Sequence, residues 1–236
     1  MLKKNLLVLP LIIALSTNVT GQAFKGYGGY MVGLWSIDWS ALNAKISEAT
    51  IPFGIGKFDQ TMMLNGGGGA ANVYNNLFVG GMGFSGRTHI NGNDTTGVNR
   101  DITVSASLAG PFVEANFQPY GNLEVVIGSG LLFGETSIRV IKDSGTNSWT
   151  NIWASFDSLN TPNYSNTKAS TKITVINPYF SVRYPLMPWF GIDLSAGYYL
   201  TLYDPNGWEA NGGPVAGRQE LGLSNTFFRI SLIFGV

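Results

Sequence analysis

From Phe228 to Val236 every second residue is large and apolar: Phe228, Ile230, Leu232, Phe234 and Val236. Arg229, Ser231, Ile233 and Gly235 fill the alternate positions. Neighbouring side chains of a strand point to opposite faces, so this alternation predicts a strand whose two faces meet different surroundings. The pattern recurs over 190–202, where Phe190, Ile192, Leu194, Ala196, Tyr198, Leu200 and Leu202 share one face. Over 174–184, Ile176, Phe180, Val182 and Tyr184 oppose Asn177, Tyr179, Ser181 and Arg183, with Pro178 on the apolar row. Proline cannot donate to a ladder, which predicts a bulge there.

Further strands are predicted near 26–37, 60–72, 77–88, 99–118 and 122–142 and, with 171–184, 189–203 and 219–236, they make eight. Tight turns at 74–76, 119–122 and 185–188 alternate with polar loops at 39–59, 89–98, 143–170 and 204–218. Membrane barrels of the bacterial outer membrane have this order of short inner turns and longer outer loops. Hydrocarbon cannot hydrogen-bond an open sheet edge, so strands with an oily face in a bilayer must close on themselves. The predicted fold is all-β: a closed, antiparallel, up-and-down transmembrane barrel of eight strands, its other face hydrophilic and turned inward. Eight strands leave an interior just wide enough for side chains. Gly128, Gly130, Gly134, Gly191 and Gly197 are predicted to relieve crowding inside it.

The first residues fit export. Lys3 and Lys4 precede an apolar run from Leu6 to Leu15 and small or polar residues up to Ala23. That is the layout of a signal peptide over 1–23, with cleavage after Gly21 or Ala23. A single barrel domain over 24–236 would follow. Without Lys3 and Lys4 the chain has 12 basic and 14 acidic residues, a formal charge of −2, which points to no nucleic-acid partner. The absence of cysteine excludes disulfides, thiolate metal sites and a lipidated cysteine. Only 12% of residues are charged, whereas 13% are aromatic and 31 are glycine. Soluble domains run near 25% charged and about 7% glycine, so the balance suits a lipid-facing barrel. A soluble secreted β-protein is the rival.

On these residues the whole mature chain resembles the small eight-stranded outer-membrane barrels, the class of the outer membrane protein A transmembrane domain and outer membrane protein X. The resemblance implies that Phe228, Ile230, Leu232, Phe234 and Val236 form the terminal strand read by the barrel-assembly machinery. Members usually end in an aromatic residue, where this chain has Val236. The resemblance supplies no catalytic or cofactor residue, and no cofactor or metal is expected.

Glu114, Glu124, Arg183, Asp193 and Arg229 fall on the predicted inner face near the short turns. Pairing across the 185–188 turn places Asp193 diagonal to Arg183, and the 119–122 turn brings Glu114 near Glu124. Two carboxylates so close need a cation. The cluster reads as a salt-bridged plug that fixes register, or as a gate whose alternative pairings open a narrow ion path; acid–base catalysis is the remaining use. His89, the one histidine, shares a face with Ser85, the weakest trace of an acyl-transfer dyad beside the plain reading of an exposed loop-edge residue.

Gly66–Gly69 lacks the Gly-Lys-Ser/Thr ending of a phosphate loop and reads as strand flexibility or as close packing against an inserted segment. That segment is predicted to be a helix over 40–48, capped by Ser40 and folded over or into the barrel mouth. Tyr184 with Phe190, Phe117 with Tyr120, and Tyr198 with Tyr203 suit two interfacial girdles. Trp149, Trp153 and Phe156 share one helical side and read first as rim packing, with contact to lipid headgroups or a bound partner as the alternatives.

The function these features predict is non-enzymatic: an envelope-structural or surface-interaction role through external loops. A narrow channel or small-ligand carrier with a charged gate comes second, and a lipid-modifying enzyme third. The expected partners are outer-membrane lipid, the assembly machinery and an unnamed surface ligand.

Overall fold

A computed structural model describes residues 26–48, 54–59, 61–94, 97–143, 164–217 and 219–235. The predicted signal peptide, Trp149, Trp153, Phe156 and Val236 lie outside them. The strands are β1 (Gly26–Trp35), β2 (Met62–Tyr74), β3 (Leu77–Asn93), β4 (Asn99–Tyr120), β5 (Leu123–Asp143), β6 (Tyr164–Met187), β7 (Phe190–Leu202), β8 (Glu209–Ala210), β9 (Gly213–Pro214) and β10 (Asn225–Gly235). The helix α1 (Ser40–Ser47) follows β1. Strands β1 to β7 pair antiparallel in sequence order, β7 pairs β10, and β10 returns to β1. Eight strands therefore close a barrel with no free edge among them. The hairpin of β8 and β9 lies against the upper part of β6, at Ala169 and Ser170.

Three short turns share one end with the start of β1 and the end of β10. Asn75, with φ 46°, and Gly121, with φ 52°, supply the left-handed conformation that two of these hairpins require. The third turn is Pro188–Trp189, because β6 runs on to Met187. The four strands β3 to β6 have 17, 22, 21 and 24 residues, against 10 to 13 in β1, β2, β7 and β10. The long strands rise as a wing on the side away from the short turns.

The outer face follows the predicted alternation. Leu194 is 54% exposed, Ile230 55% and Phe228 60%, while Arg229, Ser231 and Asp193 between them are buried. On β4, β5 and β6 the outward run spans about nine residues, apolar except for Ser129, and ends at Ala109, Phe133 and Ile176. That is the length a tilted strand needs to cross hydrocarbon. Trp189 and Phe190 pack on Phe234 at the short-turn end, where Tyr184 and, on β4, Tyr120 are also exposed. Tyr203 leaves the girdle: its hydroxyl donates to the Leu221 carbonyl at 3.0 Å and accepts the Leu221 N–H at 2.6 Å.

The interior is layered rather than uniformly hydrophilic. Charged residues cluster at the end near the short turns, and mainly apolar side chains fill the rest, Leu64, Leu132, Val175, Phe227 and Trp35 among them, with Thr88, Thr136, Thr171 and Asn177 buried between. Hydrophobic positions on both faces of the upper strands obscure the alternation there. Trp35 meets Tyr199 edge-on at 5.0 Å and Tyr199 stacks on Phe227 at 4.5 Å, closing the middle of the bore.

Above this layer sits the helical cap that the spacing over 40–48 predicts. Leu42 is buried, and Trp39 stacks on Phe58 at 4.9 Å. The Asn43 amide donates to the Phe58 carbonyl and accepts its N–H, both at 2.8 Å, fastening residues 54–59 to the helix. Ser40 is the first helical residue and not the cap: Trp39 is the N-cap and makes no side-chain cap, while the Asp38 carboxylate before it accepts the Ser40 N–H at 2.9 Å. Asp38 also exchanges backbone hydrogen bonds with Gly222, tying the cap to the segment before β10. Residues 219–224 are occupied in this way and do not extend the last strand.

Two local expectations fail. The Pro178 position carries no register shift; the β6–β7 ladder instead skips Asn177 and Pro178 and resumes in the same register. The run Gly66–Gly69 lies inside β2, where a Cβ would strike neighbouring strand backbone and the side chains of Met82 and Phe84 rather than the 40–48 helix.

Candidate functional site

The inward charges meet through register. Glu124 lies opposite Arg183, and Arg183 lies opposite Asp193. Asp193 is therefore directly across from Arg183 and not diagonal, since the hairpin turn is shorter than the sequence suggests. Arg183 is 1% exposed and reaches Glu114 at 3.2 Å, Asp193 at 3.3 Å and Glu124 at 3.6 Å. It is the cation that Glu114 and Glu124 require. Its guanidinium also lies 4.2 Å from the centre of the Tyr27 ring.

Each carboxylate has further donors. Glu114 accepts the Tyr27 hydroxyl at 2.7 Å and the Tyr179 hydroxyl at 3.0 Å. Asp193 accepts Ser181 at 2.9 Å and Ser195 at 2.6 Å. Asn116 and Gln118 approach Glu124 at 3.4 Å. Tyr179 fits because Gly128 opposes it: a Cβ at Gly128 would come within 2.4 Å of the Tyr179 ring.

Arg229 stands apart from this pairing. Among the described residues it makes no carboxylate ion pair within 4.0 Å. It donates to Ser195 Oγ at 3.0 Å and Met82 Sδ at 3.5 Å, and faces the Tyr179 ring at 4.9 Å. Asp193 is reached only through Ser195. A cavity of about 10 Å³ touches Arg229, Ser231 and Glu114, space for about one water molecule.

A second site was missed in the sequence because its residues come from five strands. Asn65, Ser85, Ser107, Glu135 and Lys172 are successive partners across β2 to β6, forming one outward row. This row sits directly above Ala109 and Phe133, where the apolar run ends. The next row carries Arg87, Ser105, Ser137 and Ser170. Ser105 and Ser137 hydroxyls are 2.8 Å apart, and Lys168 pairs Glu135 at 3.3 Å. Together these rows line a groove of about 1100 Å³ on the outer wall. The cue in the sequence was the abrupt change from apolar to hydroxyl and charged residues on the outward positions of each long strand.

His89 and Ser85 share this outer face, as predicted, but lie four residues apart on β3, about 13 Å along a strand. That is far beyond hydrogen-bond reach, so His89 does not activate Ser85. Among the described residues no group of three His, Asp or Glu side chains is placed to hold a metal.

No protein-family model and no curated protein matches the chain. Two crystal structures of Ail, the attachment invasion locus protein of Yersinia pestis, one of them in complex with the heparin analogue sucrose octasulfate, are similar to it. Each covers 89% of this chain and 95% of its own, at 11% identity and a TM-score of 0.39. At that level nothing about the ligand transfers, and the closure of eight strands rests on the pairings described above.

Proposed function

We propose that this chain is an exported outer-membrane barrel that acts at the cell surface and does not conduct or catalyse. The observation that carries this reading is the inversion of the two faces: on β4, β5 and β6 the outward positions are apolar, Ser129 excepted, for about nine residues, while every inward charge is paired or packed. A soluble barrel would hide the apolar face and wet the other. The signal peptide over 1–23, the domain over 24–236, and recognition of Phe228, Ile230, Leu232, Phe234 and Val236 by the assembly machinery belong to the same reading.

The gate reading has less support. An ion path would have to displace Trp35, Tyr199 and Phe227 as well as Arg183 from three carboxylates. The lipid-modifying reading loses its histidine–serine pair to distance. What is left to act is the outer wall, the cap and the loops.

Flotation tests the membrane part. The chain over 24–236, refolded with phosphatidylcholine vesicles, is expected to float with them in a density gradient and to resist carbonate extraction. Recovery in the aqueous fraction without detergent would refute membrane residence.

A further inference from the structure

The groove on the outer wall begins where the apolar run stops. Its lower lip is Ala109 and Phe133, the last outward residues of that run on β4 and β5, and its upper part carries serine hydroxyls, three basic residues, Glu135 and Met63. Gly81 and Gly83 face outward on β3 just below, and a Cβ at Gly81 would meet nothing closer than 3.8 Å. No side chain there separates the groove from the lipid-facing belt. A molecule filling the groove would thus have apolar parts running down the wall and polar parts at the level of Ser107.

The charges choose its polar end. Lys168 is engaged by Glu135, but Arg87 and Lys172 face the same groove with no carboxylate within 4.0 Å among the described residues. Arg87 supplies a planar fork suited to phosphate oxygens, and Lys172 a compact ammonium. The hydroxyls of Ser85, Ser105 and Ser107 add donors and acceptors suited to sugar hydroxyls. A zwitterionic headgroup brings a single phosphate, already offset by its own cation, to two side chains that stand three strands apart on β3 and β6.

Resting on the membrane reading above, we propose that this groove binds the phosphorylated saccharide headgroup of an outer-leaflet glycolipid, with Arg87 and Lys172 holding phosphate. The geometry calls for an amphiphile bearing phosphate on a sugar, seated laterally against β2 to β6 and not inside the barrel.

The test uses the refolded barrel in neutral detergent micelles, so that it reads binding even if flotation fails. Fluorescent bis-phosphorylated lipid A is titrated and followed by anisotropy. R87A/K172A is expected to weaken binding by about tenfold or more, since each charge-assisted contact is worth about that much. K45A, altering a lysine paired with Glu48 on the cap, is expected to leave it unchanged. Lipid A stripped of both phosphates is expected to bind the native barrel and R87A/K172A equally weakly. Equal affinity of native and R87A/K172A barrels for the phosphorylated lipid would overturn the proposal. So would an equal loss for the stripped lipid, which would mark a damaged wall, or full displacement of the lipid by inorganic phosphate, which would mark a simple anion site. Gel mobility of the unheated variant, compared with native, verifies that the barrel is closed. If closure fails in R87A/K172A, R87Q and K172Q measured singly must each weaken the phosphorylated lipid alone, or the assignment is wrong.

Discussion

Arg183 and Arg229 are both buried arginines on inward positions of adjacent interior rows, yet they do different work. Arg183 neutralises three carboxylates; Arg229 leans on rings, a thioether and one serine. Removing a partner from a buried ion pair leaves uncompensated charge and costs about 3–5 kcal/mol. R183M strands Glu114, Glu124 and Asp193 together and is expected to cost at least that much. R229M strands no carboxylate and fills its site with a side chain suited to Phe84 and Tyr179, so it is expected to cost clearly less. Urea titration of both variants in vesicles, read by tryptophan fluorescence, compares them; equal losses would mean that Arg229 carries unrecognised ionic weight. The five charges could be named from inward parity alone. Which cation serves which carboxylate could not, because it depends on a turn two residues shorter than the prolines at 185 and 188 suggest.

The elements differ in how plainly they announce themselves. Strands β7 and β10 have one face to lipid and one on which small and polar residues predominate, so their sequences alternate plainly. Strand β6 begins at Tyr164, seven residues before the predicted start, because Ser165, Asn166, Thr167 and Lys168 stand above the belt and no apolar period marks them. The outer groove was illegible for the same reason: it is made of ordinary polar residues that only register gathers. The cap was legible as helical spacing over 40–48, but its stop and start depend on tertiary contacts. Here pH offers a test. The Ser40 N–H holds the Asp38 carboxyl below its usual range. A depressed folded value means the contact contributes fully above the unfolded value of about 3.9 and is lost as pH falls through the lower folded one. Hydrogen exchange over residues 38–44 is therefore expected to stay constant from neutral pH to about 4, after correction for intrinsic rates, and to quicken below it. In D38N the acid step should vanish; its persistence would place the sensitive group elsewhere.

At the scale of the whole molecule, the long strands divide into a lower part that faces acyl chains and an upper part that faces headgroups and water. That division makes a prediction about depth. An arginine on the lipid face costs about 2–4 kcal/mol at the bilayer midplane and about 0–1 near an interface. Ile230 and Leu194 oppose each other on β10 and β7, well inside the apolar run. Ser107 lies one outward position above Ala109, where that run ends on β4. I230R and L194R are each expected to lower the stability of the vesicle-inserted barrel by amounts in the midplane range, and S107R by no more than the interfacial one. Arg side chains at all three positions point away from the core, so packing changes inside the barrel do not confuse the comparison. A flat response across the three sites would remove the membrane boundary drawn at Ser107, and with it the reason for a polar groove to open just above.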